Sequence, residues 1–253
     1  MAGQVPGEDE ADVNLGIEGK VALVTASSKG LGRASAEALA GEGVSVMLSG
    51  RDGDVLEATR ADLAASGADV GALVGDVTDP DEPARLVAAT LEQFGRLDIL
   101  VANAGGPPPG GALDLDDAAI EAAINANLMT TVRLVRASLP SMRAEGWGRI
   151  CAITSYTIVQ AAPMLSLSNT ARTGLWAWAK TAAHDLAGEG SGITLNLACP
   201  GLHETDRMRQ LGASGRMGDP ADFGRVVAFL CSAPAAFVSG SAVVVDGAET
   251  LSL

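Results

Sequence analysis

Aromatic residues are scarce in this chain, at 3% of its 253 positions, and there is a single tyrosine, Tyr156. A buried core must therefore be built from Ala, Val, Leu and Ile, small side chains that suit helices packed closely on a parallel sheet. Basic residues are also few: 17 Lys and Arg stand against 31 Asp and Glu, a formal net charge of −14. Displacing counterions from nucleic acid, or holding to anionic lipid, needs clustered Lys and Arg, so neither partner is expected. No apolar run is long enough to span a bilayer. The N-terminal stretch places Glu8, Asp9, Glu10 and Asp12 ahead of any basic residue, the opposite of a secretory leader, so a cytoplasmic location is expected. The three cysteines, Cys151, Cys199 and Cys231, each fall among apolar neighbours and read as reduced structural thiols. No metal site is expected.

What the chain does have is 47% hydrophobic residues, enough to bury a sizeable core at a length that suits one α/β domain. Residues 1–17 are acidic and glycine-rich without apolar periodicity and read as a disordered tail, leaving 18–253 as a single domain. Strands are predicted at Lys20–Thr25, Val44–Leu48, Val70–Val74, Ile99–Ala102, Ile150–Thr154, Thr194–Ala198 and Ala242–Val245. Helix-like stretches separate most of them, among them Arg33–Ala40, Val55–Ala65, Pro83–Phe94, Ile120–Ala144 and Ala171–Ala187. Strict alternation implies a parallel sheet with right-handed crossovers. The segment Gly105–Gly111, GGPPPGG, reads as a stiff extended loop.

The first strand runs into Thr25-Ala26-Ser27-Ser28-Lys29-Gly30-Leu31-Gly32, and a helix follows. Glycines let backbone approach a pyrophosphate, and the helix N-terminus offers it unpaired N–H groups. The segment resembles the T-G-x-x-x-G-x-G loop of the short-chain dehydrogenases/reductases, with Ala26 at the first glycine; alanine fits there if its φ is negative. The resemblance covers nearly the whole chain from about Gly19. It implies a doubly wound Rossmann fold, a central parallel sheet of about seven strands with helices on both faces. The second strand ends Ser49-Gly50-Arg51. A carboxylate at Gly50 would hold the ribose 2′-hydroxyl of NAD, whereas Arg51 and Lys29 suit a 2′-phosphate, so NADP(H) is expected over NAD(H); alternatively Arg51 is a solvated loop charge. Asp76-Val77 resembles the family's adenine-contacting pair, and Asn103-Ala104-Gly105 its N-A-G motif. Pro200-Gly201 through Thr205 resembles the turn whose threonine holds the nicotinamide end.

The family's chemistry is done by a tetrad of Asn, Ser, Tyr and Lys. Asn127 and Ser155 match the first two. The Tyr and Lys positions hold Ser168 and Arg172, and Lys180 lies two helical turns beyond Arg172, out of reach of that role. The Ser168-Asn169-Thr170-Ala171-Arg172 pattern and the N-A-G-G-P-P-P-G stretch resemble an atypical, 3-oxoacyl-(acyl-carrier-protein)-reductase-like subgroup. Arg172 stays protonated and suits ribose hydroxyls, but it cannot make Ser168 a useful base. The proton is then expected from Ser168 through water, from Tyr156, or from His203 in the loop after Pro200-Gly201, an imidazole being able to donate one. His184 reads as a helix-surface residue, and Trp176 and Trp178 as packing groups in a core or subunit interface.

These residues imply an NADP(H)-dependent oxidoreductase acting on a small-molecule carbonyl/alcohol pair. Two alternatives stay open: a non-catalytic dinucleotide-binding subunit partnering an active homologue, and a non-redox lyase or isomerase on the same scaffold. Halohydrin dehalogenases resemble the last case in placing Arg at the Lys position, but they keep a Tyr and lose the glycine loop. The resemblance also implies a homotetramer or homodimer paired through Ile120–Ala144 and Ala171–Ala187. The short segment from Thr205 to Arg216 leaves room for only a small substrate lid.

Overall fold

The computed structural model describes residues 13–252. Seven strands, β1 Val21–Val24, β2 Ser45–Gly50, β3 Val70–Val74, β4 Ile99–Ala102, β5 Gly148–Ile153, β6 Ile193–Pro200 and β7 Ala242–Val245, form one sheet in the order β3-β2-β1-β4-β5-β6-β7. Every neighbouring pair is parallel. The helices are α1 Gly30–Gly41, α2 Gly53–Ala65, α3 Glu82–Phe94, α4 Asp117–Ile124, α5 Thr130–Glu145, α6 Ser166–Gly188, α7 Asp206–Gln210 and α8 Pro220–Leu230. No helix among the described residues is long and apolar enough to cross a membrane.

Both sheet faces are covered, so strand residues of either parity are apolar. Leu23, Leu100, Ile150 and Leu197 pack with Leu86 of α3, Leu134 of α5 and Leu175 of α6. Ala22, Val24, Val101 and Ala198 pack on the other face with Leu39 of α1, Leu56 of α2 and Phe223 of α8. Continuous apolar runs, as in Ile99–Ala102, are the signature of strands buried on two sides. All three cysteines are buried and free.

The chain differs from expectation at its start and in the helix before β5. Of the segment expected to be a disordered tail, residues 1–12 lie outside the described residues, but 13–17 are part of the fold. Ile17 is fully buried, and the Leu15 carbonyl accepts from Ala233 N at 2.9 Å. One isolated apolar residue carries no periodicity, yet it fills a gap beside α8. The single helix expected at Ile120–Ala144 is two helices joined by a π turn, Asn125–Met129. The Thr130 hydroxyl, 3.0 Å from Val77 O and 3.1 Å from Asn125 O, shares its one hydrogen between these carbonyls and helps to hold the turn. Between β6 and β7 lie α7 and α8. Asp219 caps α8 through Ala221 N, with Pro220 in its first turn and Phe223, Val227 and Leu230 buried along one face.

β1 sits where the strand order reverses, with β2 and β3 on one side and β4 to β7 on the other. That reversal opens a crevice at the carboxyl ends of β1 and β4, the place where open α/β sheets bind ligands. Val24 pairs with both Leu48 and Val101, so the segments after β1, β2 and β4 emerge at one level. The turn out of β1 is strained: Ala26 has φ +47°, in the left-handed region that glycine tolerates. The expectation of a negative φ is thus overturned, because the chain must reverse here to bring α1 back over the sheet. Gly32 leaves no such latitude. A Cβ there would lie 2.5 Å from the Ala26 carbonyl oxygen and 2.7 Å from Asn103 Nδ2.

The two positions should respond oppositely to substitution. Ala26→Gly removes the left-handed penalty but adds unfolded-chain entropy, a net gain of about 0.5 kcal/mol. Gly32→Ala overpacks the turn and costs about 1–3 kcal/mol. Urea denaturation of both variants checks this; destabilisation by Ala26→Gly would show that the turn is not strained.

Candidate active site

The glycine-bearing loop is fastened to its neighbours by side chains. The Thr25 hydroxyl donates to Asn103 O at 2.7 Å and accepts from Asn103 N at 2.9 Å, while Asn103 Nδ2 donates to Ala26 O at 3.2 Å. Ser27 is fully buried, and its hydroxyl bridges Val24 O and Ser49 N. Its side chain is therefore a staple between β1 and β2, which leaves only its backbone for a ligand. Ser28 packs beside Gly50, and its carbonyl accepts from the Thr59 hydroxyl. Lys29 precedes α1 in an extended conformation and gives no side-chain cap. The first-turn N–H groups at Gly30, Leu31 and Gly32 are thus left for an anion, and the uncapped helix start fits a dinucleotide pyrophosphate. Thr205 closes this end of the crevice. Its methyl lies 3.7 Å from where a Cβ on Gly30 would stand, and its hydroxyl caps α7 by accepting from Met208 N. Pro200 ends β6, and a Cβ on the following Gly201 would lie 2.6 Å from Asp246 Cβ.

At the end of β2 no carboxylate stands at Gly50, and a Cβ there would already meet Ser28 at 3.1 Å. Arg51 is 76% exposed and lies 3.9 Å from Asp76 Oδ2. Burial alone would raise Asp76, but the Thr78 N–H and hydroxyl and the Arg51 guanidinium outweigh it and hold the carboxyl below its ordinary value. Val77 is buried, with its carbonyl taken by Thr130. Ala104 packs partly against the core, and Gly105 begins the extended Gly105–Gly111 loop.

The opposite wall holds the altered tetrad. Ser168 and Arg172 lie one turn apart on α6, both buried at 9% exposure. Arg172 Nη2 donates to Asn127 Oδ1 at 3.1 Å, Nη1 donates to the Thr154 carbonyl, and Nε has no partner among the described residues. Burial, reinforced by the Arg207 charge, pushes Arg172 down to about 10, which still leaves it a cation at neutral pH. The π turn is what delivers Asn127 to this guanidinium; such turns recur at functional positions. Ser155 caps a short 3-10 turn, Tyr156–Ile158, by accepting from Thr157 N at 3.2 Å. The Thr157 hydroxyl in turn lies 3.5 Å from Ser168 Oγ. Asn127, Ser155, Ser168 and Arg172 are thereby joined through Thr154 and Thr157.

The other proton candidates fare differently. Tyr156 is half-buried, and burial together with the Glu249 and Asp246 carboxylates raises its phenol, which makes it a weaker acid. His203 is 4% exposed; its Nδ1–H donates to Gly201 O at 3.2 Å and its ring stands edge-on to Phe223 at 5.2 Å. It is a packed histidine under the β6–α7 loop. Sequence reasoning passed over Thr154 and Thr157, although the Thr-Ser-Tyr-Thr run around Ser155 was a signal. It also passed over Cys199, whose thiol lies 3.2 Å from the Thr154 hydroxyl and is pushed up to about 11 by burial, and over Arg207.

A family model described as "Enoyl-(Acyl carrier protein) reductase" matches residues 25–248. "Dehydrogenase/reductase SDR family member 4" of Sus scrofa is 33% identical over 245 residues, covering 91% of this chain and 87% of that protein. The 3-oxoacyl-(acyl-carrier-protein) reductase FabG of Escherichia coli strain K12 is 32% identical over 244 residues, covering 92% and 98%. Among solved structures, L-sorbose reductase from Gluconobacter frateurii, complexed with NADPH and L-sorbose, superposes with a TM-score of 0.88 at 30% identity, covering 95% of this chain and 100% of that one. Uncapped helix start, reversed strand order and these likenesses along nearly the whole chain converge: the chain belongs to the short-chain dehydrogenase/reductase family and is an oxidoreductase of the 3-oxoacyl-(acyl-carrier-protein)-reductase-like kind.

Proposed function

We propose that this protein interconverts a carbonyl and an alcohol with NADP(H), using Ser155 and Arg172 in a site without the family's tyrosine and lysine. The observation that carries the proposal is the buried Arg172, set between Thr154 and Asn127 and one turn from Ser168. When bound, NADPH supplies a hydride for the carbonyl carbon. Arg172 would hold the ribose hydroxyls with the N–H groups that Thr154 and Asn127 leave, a role that suits a fixed, always-charged fork. The Ser155 oxygen is already occupied by the Thr157 N–H, so its own O–H is free to donate to the substrate oxygen. The proton that completes the alcohol comes from water through Ser168, held by Thr157. A serine hydroxyl is a poor acid, so turnover is expected to fall short of a tyrosine-bearing relative by ~10²–10⁴-fold.

The preference for NADP(H) rests on Gly50 and Arg51. The Arg51–Asp76 contact is long and solvent-exposed and holds Arg51 by at most about 1 kcal/mol. The guanidinium can therefore turn onto a 2′-phosphate in bidentate fashion. The NADPH-bound state of the sorbose reductase supports the same choice.

Calorimetric titration should give tighter binding for NADPH than for NADH. Arg51→Ala should weaken NADPH by about 10-fold or more, the scale of one charge-assisted hydrogen bond, and leave NADH nearly unchanged. Preference for NADH in the native protein would contradict the assignment.

For the chemistry, Ser155→Ala should cut kcat ~100-fold or more with the NADPH dissociation constant unchanged, whereas Arg172→Ala should raise that constant. Ser168→Tyr with Arg172→Lys should raise carbonyl-reductase activity. If neither the native protein nor this double variant reduces any ketone or 3-oxoacyl thioester, the oxidoreductase chemistry falls, and a non-catalytic dinucleotide-binding subunit takes its place.

A further inference from the structure

Among the described residues eight arginines sit in ion pairs with carboxylates. With a net charge of −14, acidic partners are plentiful. Arg207 on α7 has none among the described residues, although Arg209, two positions on, pairs with Asp206 at 2.8 Å. Instead Arg207 Nη2 donates to the Pro107 carbonyl at 3.0 Å. Its guanidinium presses on Gly106, where a Cβ would meet Nη2 at 2.9 Å and Cζ at 3.2 Å. Arg207 thus reaches from α7 across the mouth of the crevice to the loop after β4. A carbonyl engages one of its five N–H donors and gives its charge no counterion.

Two further features define what this opening suits. Beneath it lies Arg172, close enough that the two cations repel each other. Like charges converging on one opening are unfavourable until an anion joins them. At the far end of the loop after β4 Met164, 60% exposed, lies 4.0 Å from where a Cβ on Gly111 would stand, and Leu113, two residues on from that glycine, is 99% exposed. Met164 is held there with φ +62° by its carbonyl, which accepts from Gly110 N at 2.7 Å. The loop after β4 therefore carries a cation without a counterion at one end and exposed apolar side chains at the other. Arg207 is engaged by Gly106 and Pro107, and its charge is felt by Arg172, so the anion it faces is at the substrate end.

We propose that Arg207 is a specificity-determining residue that binds a carboxylate on the substrate, so that the protein takes oxo acids with an apolar stretch in preference to neutral ketones. This inference rests on the carbonyl/alcohol assignment above. Binding exchanges the neutral Pro107 carbonyl for a carboxylate that accepts two hydrogen bonds from the guanidinium. The same cation also suits a cofactor phosphate, and the test separates the two.

The experiment is calorimetric titration of the protein saturated with NADP+, where no reduction occurs, with 4-oxopentanoate and with its methyl ester. The carboxylate is expected to bind at least ten times more tightly than the ester. Arg207→Gln should erase the difference, Arg207→Lys should keep part of it, and neither should change NADP+ affinity more than twofold. The proposal is overturned if the two compounds bind equally, if neither binds, or if the difference survives in Arg207→Gln. A large loss of NADP+ affinity in Arg207→Gln overturns it as well and assigns the cation to the cofactor's phosphates. Failure of the oxidoreductase assignment would appear elsewhere, as absence of ketone reduction by NADPH.

Discussion

A guanidinium buried at the floor of a crevice is the constraint on which this site is built. Removing one cation from water costs several kcal/mol unless dipoles replace its hydration. Arg172 meets that cost with the Thr154 carbonyl at the end of β5 and the Asn127 carboxamide. Each partner needs its own support. Thr154 is pinned by its N–H to Ala198 O on β6. Asn127 points inward only because the chain makes a π turn, and that turn is stabilised where Thr130 bonds Val77, just after β3. The charge thus ties together the carboxyl ends of β3, β5 and β6 and the start of the longest helix.

The other wall is organised by backbone. Thr25 and Asn103 lock the turns after β1 and β4 to each other, which fixes where the α1 N-terminus points. Close approach at Gly32 then forces Ala26 into a left-handed conformation, accepted at a cost of about 1 kcal/mol because the surrounding bonds over-determine it. The two walls meet through Arg207, whose bond to Pro107 spans the opening and whose field reaches Arg172.

Much of this was legible in the sequence. Apolar runs such as Val70–Val74 and Ile99–Ala102 match their strands end to end, and in Ile99–Ala102 two-sided burial leaves no alternation to misread. The glycine loop, the missing carboxylate at Gly50 and the replacements at Ser168 and Arg172 follow from register against known motifs. What escaped depends on contacts distant in sequence. The π turn leaves the apolar periodicity of its helix unchanged, so Ile120–Ala144 read as continuous. The φ of Ala26 is set by Gly32 and Asn103, not by its neighbours. His203 looked like a loop residue because the burying ring, Phe223, comes twenty positions later. Arg207 acquires meaning only from Pro107, a hundred residues before it. Ile17 joins the core without any local pattern to mark it.

The central claim is that this site delivers hydride without a tyrosine acid. It is tested most directly by label transfer, with NADPH deuterated at C4 on the transferred face and a panel of ketones, ketoses and 3-oxo acids. Mass spectrometry of the products should find an alcohol with one deuterium on its carbinol carbon, formed in step with NADPH oxidation. An alcohol formed without deuterium, or no alcohol from any compound of the panel, would contradict the account.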